Sequence, residues 1–190
     1  MKKKNFILAT FLIVIAACLR LFPQPANFSP IGAMALFSGA ILGSKYLKYI
    51  IPLVILFVSD LILNNTILRA WYPDSEGFIF FSKYMITTYI AFVLAVAIGH
   101  FFMKKISFKS VVGGALGFSV VFFLISNFGS WLHPGTYPKS ISGLVTCYGA
   151  GLPFLKNTIA GNLFYCTVLF GSYAMLTQVI AASRKTASIN

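Results

Sequence analysis

Apolar residues along this chain gather into long runs, at about residues 6–22, 31–44, 49–68, 79–103, 110–132 and 152–182. A helix needs roughly 20 apolar residues to cross the hydrocarbon core of a bilayer, and most of these runs reach or approach that length. The run from Pro30 to Gly43 is short. It spans only by borrowing flanking residues, and a tilted or partly re-entrant segment is the other expectation for it. The last run is long. The extended polar stretches that contain Gly and Pro are Ala70 to Gly77 and His133 to Gly151, and their turn chemistry predicts loops. The expected fold is all-α, a polytopic bundle of about six transmembrane helices, with residues 1–190 as a single transmembrane domain.

Composition narrows the class further. A chain with 58% hydrophobic and 9% charged residues cannot hide its apolar surface inside a small soluble globule. Lipid is the expected solvent for most of it. The formal charge of +12 does not predict nucleic acid, because Lys and Arg stand singly or in short clusters at the ends of apolar runs. Cations in such places anchor helices at the interface and set topology. With the N-terminus inside, Lys2, Lys3, Lys4, Lys45, Lys48, Lys104, Lys105, Lys109, Arg184 and Lys185 fall in the cytoplasm. Arg20, Arg69, Lys83, Lys139 and Lys156 fall outside, together with Asp74 and Glu76. That imbalance predicts N-in and C-in, in the bacterial cytoplasmic membrane.

Lys2-Lys3-Lys4 followed by an apolar run ending in Ile15-Ala16-Ala17-Cys18 also has the pattern of a lipoprotein signal peptide. Cleavage there would leave an odd number of spans and erase the charge bias, so the segment is read as a retained first helix. Cys18, Cys147 and Cys166 are too widely spaced for a metal-ligand pattern.

Polar residues inside or beside the apolar runs carry the candidate chemistry, since an ionisable group in a span is costly and is kept for a reason. Asp60 is the only acid within a run. Asn64 lies four residues on, on the same helix face, so the two can hold a polar ligand. Asp60 can equally pair with Arg20 at the outer end of the first helix and lock two helices together. Asn127 and Trp131 share a face at the end of the fifth run, where an amide beside an aromatic wall suits a flat or ring-shaped molecule. Trp131 also fits an interfacial aromatic belt. Asn157, Gly161 and Tyr165 share a face in the last run, suited to a ligand or to close helix packing. Ala35, Gly39 and Gly43, and Gly113 and Gly117, form small-residue stripes that allow close approach within the bundle or present a flat face to another membrane protein. His100 reads as a satisfied interfacial residue, and His133 stands in the outer loop.

No His-Glu-x-x-His, Gly-x-Ser-x-Gly, paired carboxylates or phosphate-cradling loop is present, so no enzymatic activity, cofactor or metal is expected. Active transport would need an ion gradient or an ATPase on another chain.

The string Asn27-Phe28-Ser29-Pro30-Ile31-Gly32-Ala33-Met34-Ala35-Leu36-Phe37, with Ser59-Asp60, Ser126-Asn127-Phe128, Tyr137-Pro138-Lys139, Gly143-Leu144, Cys147-Tyr148 and Pro153-Phe154, resembles an uncharacterised family of bacterial six-helix membrane proteins. Its size and organisation are similar to the substrate-binding S components of energy-coupling factor (ECF) vitamin transporters. That resemblance implies capture of a vitamin-like small-molecule solute from the outer side, with a transmembrane coupling subunit and ATPases as partners. It implies a pocket from Asn27, Ser29, Asp60, Asn127, Trp131, Tyr137, Lys139, Tyr148 and Asn157, acting by hydrogen bonding and stacking, to which the face shared with Asp60 adds Asn64. The Ala-x-x-x-Ala docking pattern of S components is broken here, since Ala9 is followed four residues later by Ile13. The alternative is a structural scaffold similar to the rod-shape-determining membrane proteins, which needs partners and no pocket. A metal or corrinoid held by Cys147 or His133 is a variant of the binding reading.

Overall fold

The computed structural model describes residues 3–71 and 76–187; Lys2 and Asp74 lie outside the described residues. The fold is all-α. Helix α1 covers Lys3–Arg20, α2 Ile31–Ile41, α3 Leu47–Asn65, α4 Lys83–Phe102, α5 Phe108–Leu132 and α6 Ile141–Ala187, with a 3-10 turn at Arg69–Trp71. Leu47–Asn65, Met85–Phe102, Phe108–Leu132 and Ile141–Ser183 are each long and apolar enough to cross a membrane. They leave Val54, Val58, Val93, Leu94, Val120 and Leu124 exposed on their outer faces. Side chains of that kind suit lipid, and the chain is a multi-pass helical membrane protein. Helix α1 has 18 residues, with Lys3 and Lys4 at one end and Arg20 at the other.

Helix α2 departs from the expected span. Its 11 residues rise only about 16 Å, roughly half the hydrocarbon thickness. It is buried from Gly32 to Gly39 and packs against each of the other five helices. A helix surrounded on all sides has no use for a polar stripe, which is why its sequence is apolar all round. Two glycines make its closest contact possible. A Cβ on Gly39 would lie 2.0 Å from the Val96 carbonyl oxygen of α4, and one on Gly99 would lie 2.2 Å from that of Leu36 in α2. The backbones of α2 and α4 therefore touch, and any larger residue at either position forces them apart.

Helix α6 corrects a second expectation. Its 47 residues start at Ile141, so the loop expected over 133–151 is confined to the stretch before that residue. Gly143, Gly149 and Gly151 resemble turn residues in sequence, but packing holds their segment helical. A Cβ on Gly143 would lie 2.1 Å from the Pro138 carbonyl oxygen, and one on Gly151 would lie 2.2 Å from Asn127 Oδ1. Small residues are required there by neighbours, and the helix continues through them. Pro153 lacks an N–H and so leaves the Gly149 carbonyl without its helical donor, at an exposed position.

Consecutive helices alternate in direction. Arg20, Asp60 and Tyr89 meet at one end of the bundle, and Ser38, Lys48 and His100 at the other. The core between them is built from Ile13, Leu36, Phe37, Phe92, Val96 and Phe118, with Phe37 in edge contact with Phe170 and Tyr173 of α6.

Candidate functional site

Arg20 is the last residue of α1, where the helix's free carbonyls favour a cation. Its Nη2 stands 2.6 Å from Asp60 Oδ1 on α3, and the two side chains are only 13% and 7% exposed. Arg20 Nη1 donates to Ser59 Oγ at 2.7 Å, and Ser59 Oγ donates to the Leu56 carbonyl at 2.8 Å. The second carboxylate oxygen, Asp60 Oδ2, accepts from the Tyr89 hydroxyl of α4 at 2.8 Å. Both oxygens of the buried acid are thus engaged, one by a cation and one by a neutral donor. Such charge-assisted bonds tie α1, α3 and α4 together in a largely buried place, where they are stronger than in bulk water.

One turn further along α3, Asn64 is also buried and its Nδ2 reaches Met85 Sδ at 3.6 Å. Asp60 and Asn64 therefore face Tyr89 and Met85, two pairs in antiparallel register. Asn65 makes a reciprocal pair with the backbone of Ile79, donating from Nδ2 at 2.9 Å and accepting at Oδ1 at 2.8 Å. That pair fastens the link before α4 to the end of α3.

Asn27, Ser29 and Asn157 meet at the same end. Asn157 Nδ2 donates to the Ala26 carbonyl at 3.0 Å, and Ser29 Oγ accepts from the Ile31 amide at 3.4 Å, covering the start of α2. Asn27 adopts φ 63, a left-handed turn conformation that asparagine tolerates. Gly161 admits this link closely, since a Cβ there would lie 3.0 Å from the Ser29 amide nitrogen, and Tyr165 packs on Phe28 at 5.6 Å. Asn157, Gly161 and Tyr165 share the face of α6 that receives the α1–α2 link.

The remaining candidates cluster where α5 meets α6. Asn127 Nδ2 donates to the Phe123 carbonyl at 2.8 Å, and the Asn127 carbonyl accepts from the Cys147 thiol at 3.3 Å. Trp131 Nε1 donates to the Pro138 carbonyl at 3.0 Å, and Tyr148 OH donates to the Leu124 carbonyl at 2.7 Å. Lys139 Nζ donates to the carbonyls of Trp131 and His133, closing the C-terminus of α5, and lies 5.5 Å above the Trp131 ring. Tyr137 stands beside Cys147. These contacts organise the α5–α6 turn from within. The candidates fall into three groups: the ion-pair network, the α1–α2 link against α6, and the α5–α6 turn.

Tyr89, Ser119 and Asn162 do not stand out in the sequence, and Ser59 enters there only beside Asp60 in the family resemblance. Asn162 Nδ2 donates to Ser119 Oγ at 2.9 Å deep between α5 and α6, beside Gly32. Nothing in the spacing of these residues announces them, because each becomes significant only through a partner on another helix. A groove of about 210 Å³ between α1 and α3, lined by Ala17, Cys18, Leu21, Val58 and Ile62, runs to Ser59 at the edge of the network. Among the described residues, no three of His, Cys, Asp and Glu are grouped to share a metal ion.

The chain matches the model of a family of unknown function, DUF6580, over residues 1–184, and it belongs to that family. No curated protein and no solved structure matches it.

Proposed function

We propose that this member of the family is the solute-binding component of a membrane transport system, similar in role to the S component of an ECF transporter. The Arg20 end faces outward and both termini face the cytoplasm of the bacterial cytoplasmic membrane, in keeping with the Lys and Arg residues that crowd the other end. A vitamin-like small molecule enters at the Arg20 end, and a coupling subunit with ATPases drives its release inward. One observation carries this reading: the one acid within a span sits in a buried four-residue network with Arg20, Ser59 and Tyr89, at the same end as the polar contacts of the α1–α2 link. Intramembrane charges are costly, and such networks mark solute pathways.

The test is untargeted mass spectrometry of small molecules retained by the protein purified in mild detergent, beside Tyr89→Phe and Asn157→Ala, which leave the ion pair intact. A compound held by the wild type and lost from both variants supports solute capture. Failure to retain any compound above a control membrane protein removes it.

A second reading, a scaffold similar to the rod-shape-determining membrane proteins, is favoured by a different feature. A Cβ on Gly113 or Gly117 would meet nothing within 4 Å, so this stripe does no packing work inside the bundle and is open to a partner helix. Recovery of partner proteins in place of small molecules, lost on Gly117→Leu, is the result that would bring this reading forward.

A further inference from the structure

The spans Met85–Phe102 and Phe108–Leu132 are joined only by the residues from Met103 to Ser107, at the end of the bundle opposite Arg20. A link that short cannot stand away from the membrane, so it lies at the depth of the headgroups. It is held in one shape from both sides. Met103 is fully buried against α5, where a Cβ on Gly114 would lie 2.8 Å from Met103 Sδ. Ser107 caps α5, its hydroxyl accepting from the Ser110 amide at 3.3 Å, and the Ser110 hydroxyl donates to the Lys105 carbonyl at 2.8 Å. The backbone of Lys105 is thereby folded onto the first turn of α5, which carries Lys109.

This turn presents cations interleaved with large apolar side chains. From Phe101 to Ser110 the sequence holds Lys104, Lys105 and Lys109 and no acid. All three lysines are exposed, and so are the apolar residues beside them, Phe102 at 78% and Phe108 at 83%. The start of α3 lies alongside, since Lys48 Nζ stands 2.9 Å from His100 Nδ1 near the end of α4. Lys45 adds a further exposed cation there, with Nζ 5.6 Å above the ring of the exposed Tyr46.

A surface with lysines on one level and phenylalanines on the next matches the two layers of a lipid. The rings settle among the upper parts of the acyl chains, and the long amines reach up to the phosphates. Negative headgroups complement the lysines in charge, and each lysine near the surface adds to the attraction. An acidic segment of another protein would match the lysines but leave Phe102 and Phe108 without an apolar partner.

We propose that the α4–α5 turn is a docking surface for anionic phospholipids, with Lys104, Lys105 and Lys109 on the headgroup phosphates and Phe102 and Phe108 among the acyl chains. Gly99, where α4 touches α2, lies about one turn before Phe102, so a lipid bound here also steadies the closest packing in the bundle. The surface does not depend on a solute binding at the Arg20 end.

Native mass spectrometry of the full-length protein in mild detergent tests this, with phosphatidylglycerol or phosphatidylcholine of matched chains added. The wild type is expected to retain phosphatidylglycerol in preference. Each of Lys104→Gln, Lys105→Gln and Lys109→Gln should lower that preference about fivefold, and the triple variant should abolish it. Arginine at the same three positions should keep it, as should Lys3→Gln with Lys4→Gln, which removes exposed cations from α1 at the same end. Phe102→Ser with Phe108→Ser should weaken retention of both lipids. Equal retention of the two lipids by the wild type overturns the proposal, and so does an equal loss from the Lys3 and Lys4 variant, since the preference would then come from diffuse charge. Binding of a polyglutamate peptide without any lipid preference would assign the surface to an acidic protein and overturn it as well. Should the triple glutamine variant fail to fold, the single variants decide in its place.

Discussion

The two ends of the bundle each bury a cation, and they treat it in opposite ways. At one end Arg20 is matched by Asp60 and steadied by Ser59, so the charges cancel within the network. At the other the Lys48 amine meets the His100 imidazole, and the Ser38 hydroxyl contacts its carbonyl, not its amine. The difference teaches that burial alone does not tell what a charge is for. A cancelled pair is a lock whose strength depends on both halves, whereas a cation without a carboxylate partner strands no opposite charge when it is removed.

The largest expected effect comes from breaking the lock. Asp60→Ala leaves Arg20 buried without its partner and should lower stability by about 3–5 kcal/mol, measured by reversible unfolding in detergent. Replacing both halves, as Arg20→Met with Asp60→Leu, should recover most of that loss, since no stranded charge remains. A double variant as damaged as the single would show that the hydrogen-bond geometry of the network matters beyond charge cancellation. Removing only the neutral donor is milder. Tyr89→Phe should cost about 1.5–3 kcal/mol, because the bond it loses goes to a charged acceptor.

Packing sharpens the same contrast between paired and unpaired features. Gly39→Ala places a methyl group against the Val96 carbonyl and should cost about 1–3 kcal/mol, read as a lower Tm. Gly117→Ala meets open space and should stabilise α5 by about 0.5–1 kcal/mol through helix propensity alone. The smallest effect is expected at the other cation. Lys48→Met strands no acid, so its stability near neutral pH should be unchanged or slightly raised, and a loss approaching that of Asp60→Ala would erase the distinction between the two ends.

Much of the bundle is legible in the residues themselves. Long apolar runs with few charges leave the backbone no option in lipid but to bond to itself, so helices and a multi-pass membrane protein follow from composition and spacing. The pairing of Arg20 with Asp60 is accessible in the same way, because both stand at the same end of alternating runs and no other acid lies within a run. The burial of α2 is less so. Its shortness can be read in the sequence, but a short apolar run looks the same whether it is tilted, re-entrant or enclosed by neighbours. The glycine-rich opening of α6 reads as loop because glycine's freedom in isolation favours turns, and only contact with Pro138 and Asn127 converts it into a requirement for small residues.

What the sequence determined by itself, then, is the set of elements and the sign of the charge at their ends, because these depend on short-range hydropathy and on the cost of burying charge in lipid. Only the tertiary structure decided the partnerships across helices: Tyr89 with Asp60, Asn162 with Ser119, Ser38 and His100 with Lys48. Those pairs lie 29, 43, 10 and 52 residues apart, and helical periodicity relates positions only within a turn or two of one another. The physical reason is that rotation and depth of each helix are set by packing, here by the backbone contact of α2 with α4, and a shift of one residue in either would present a different side chain to the partner.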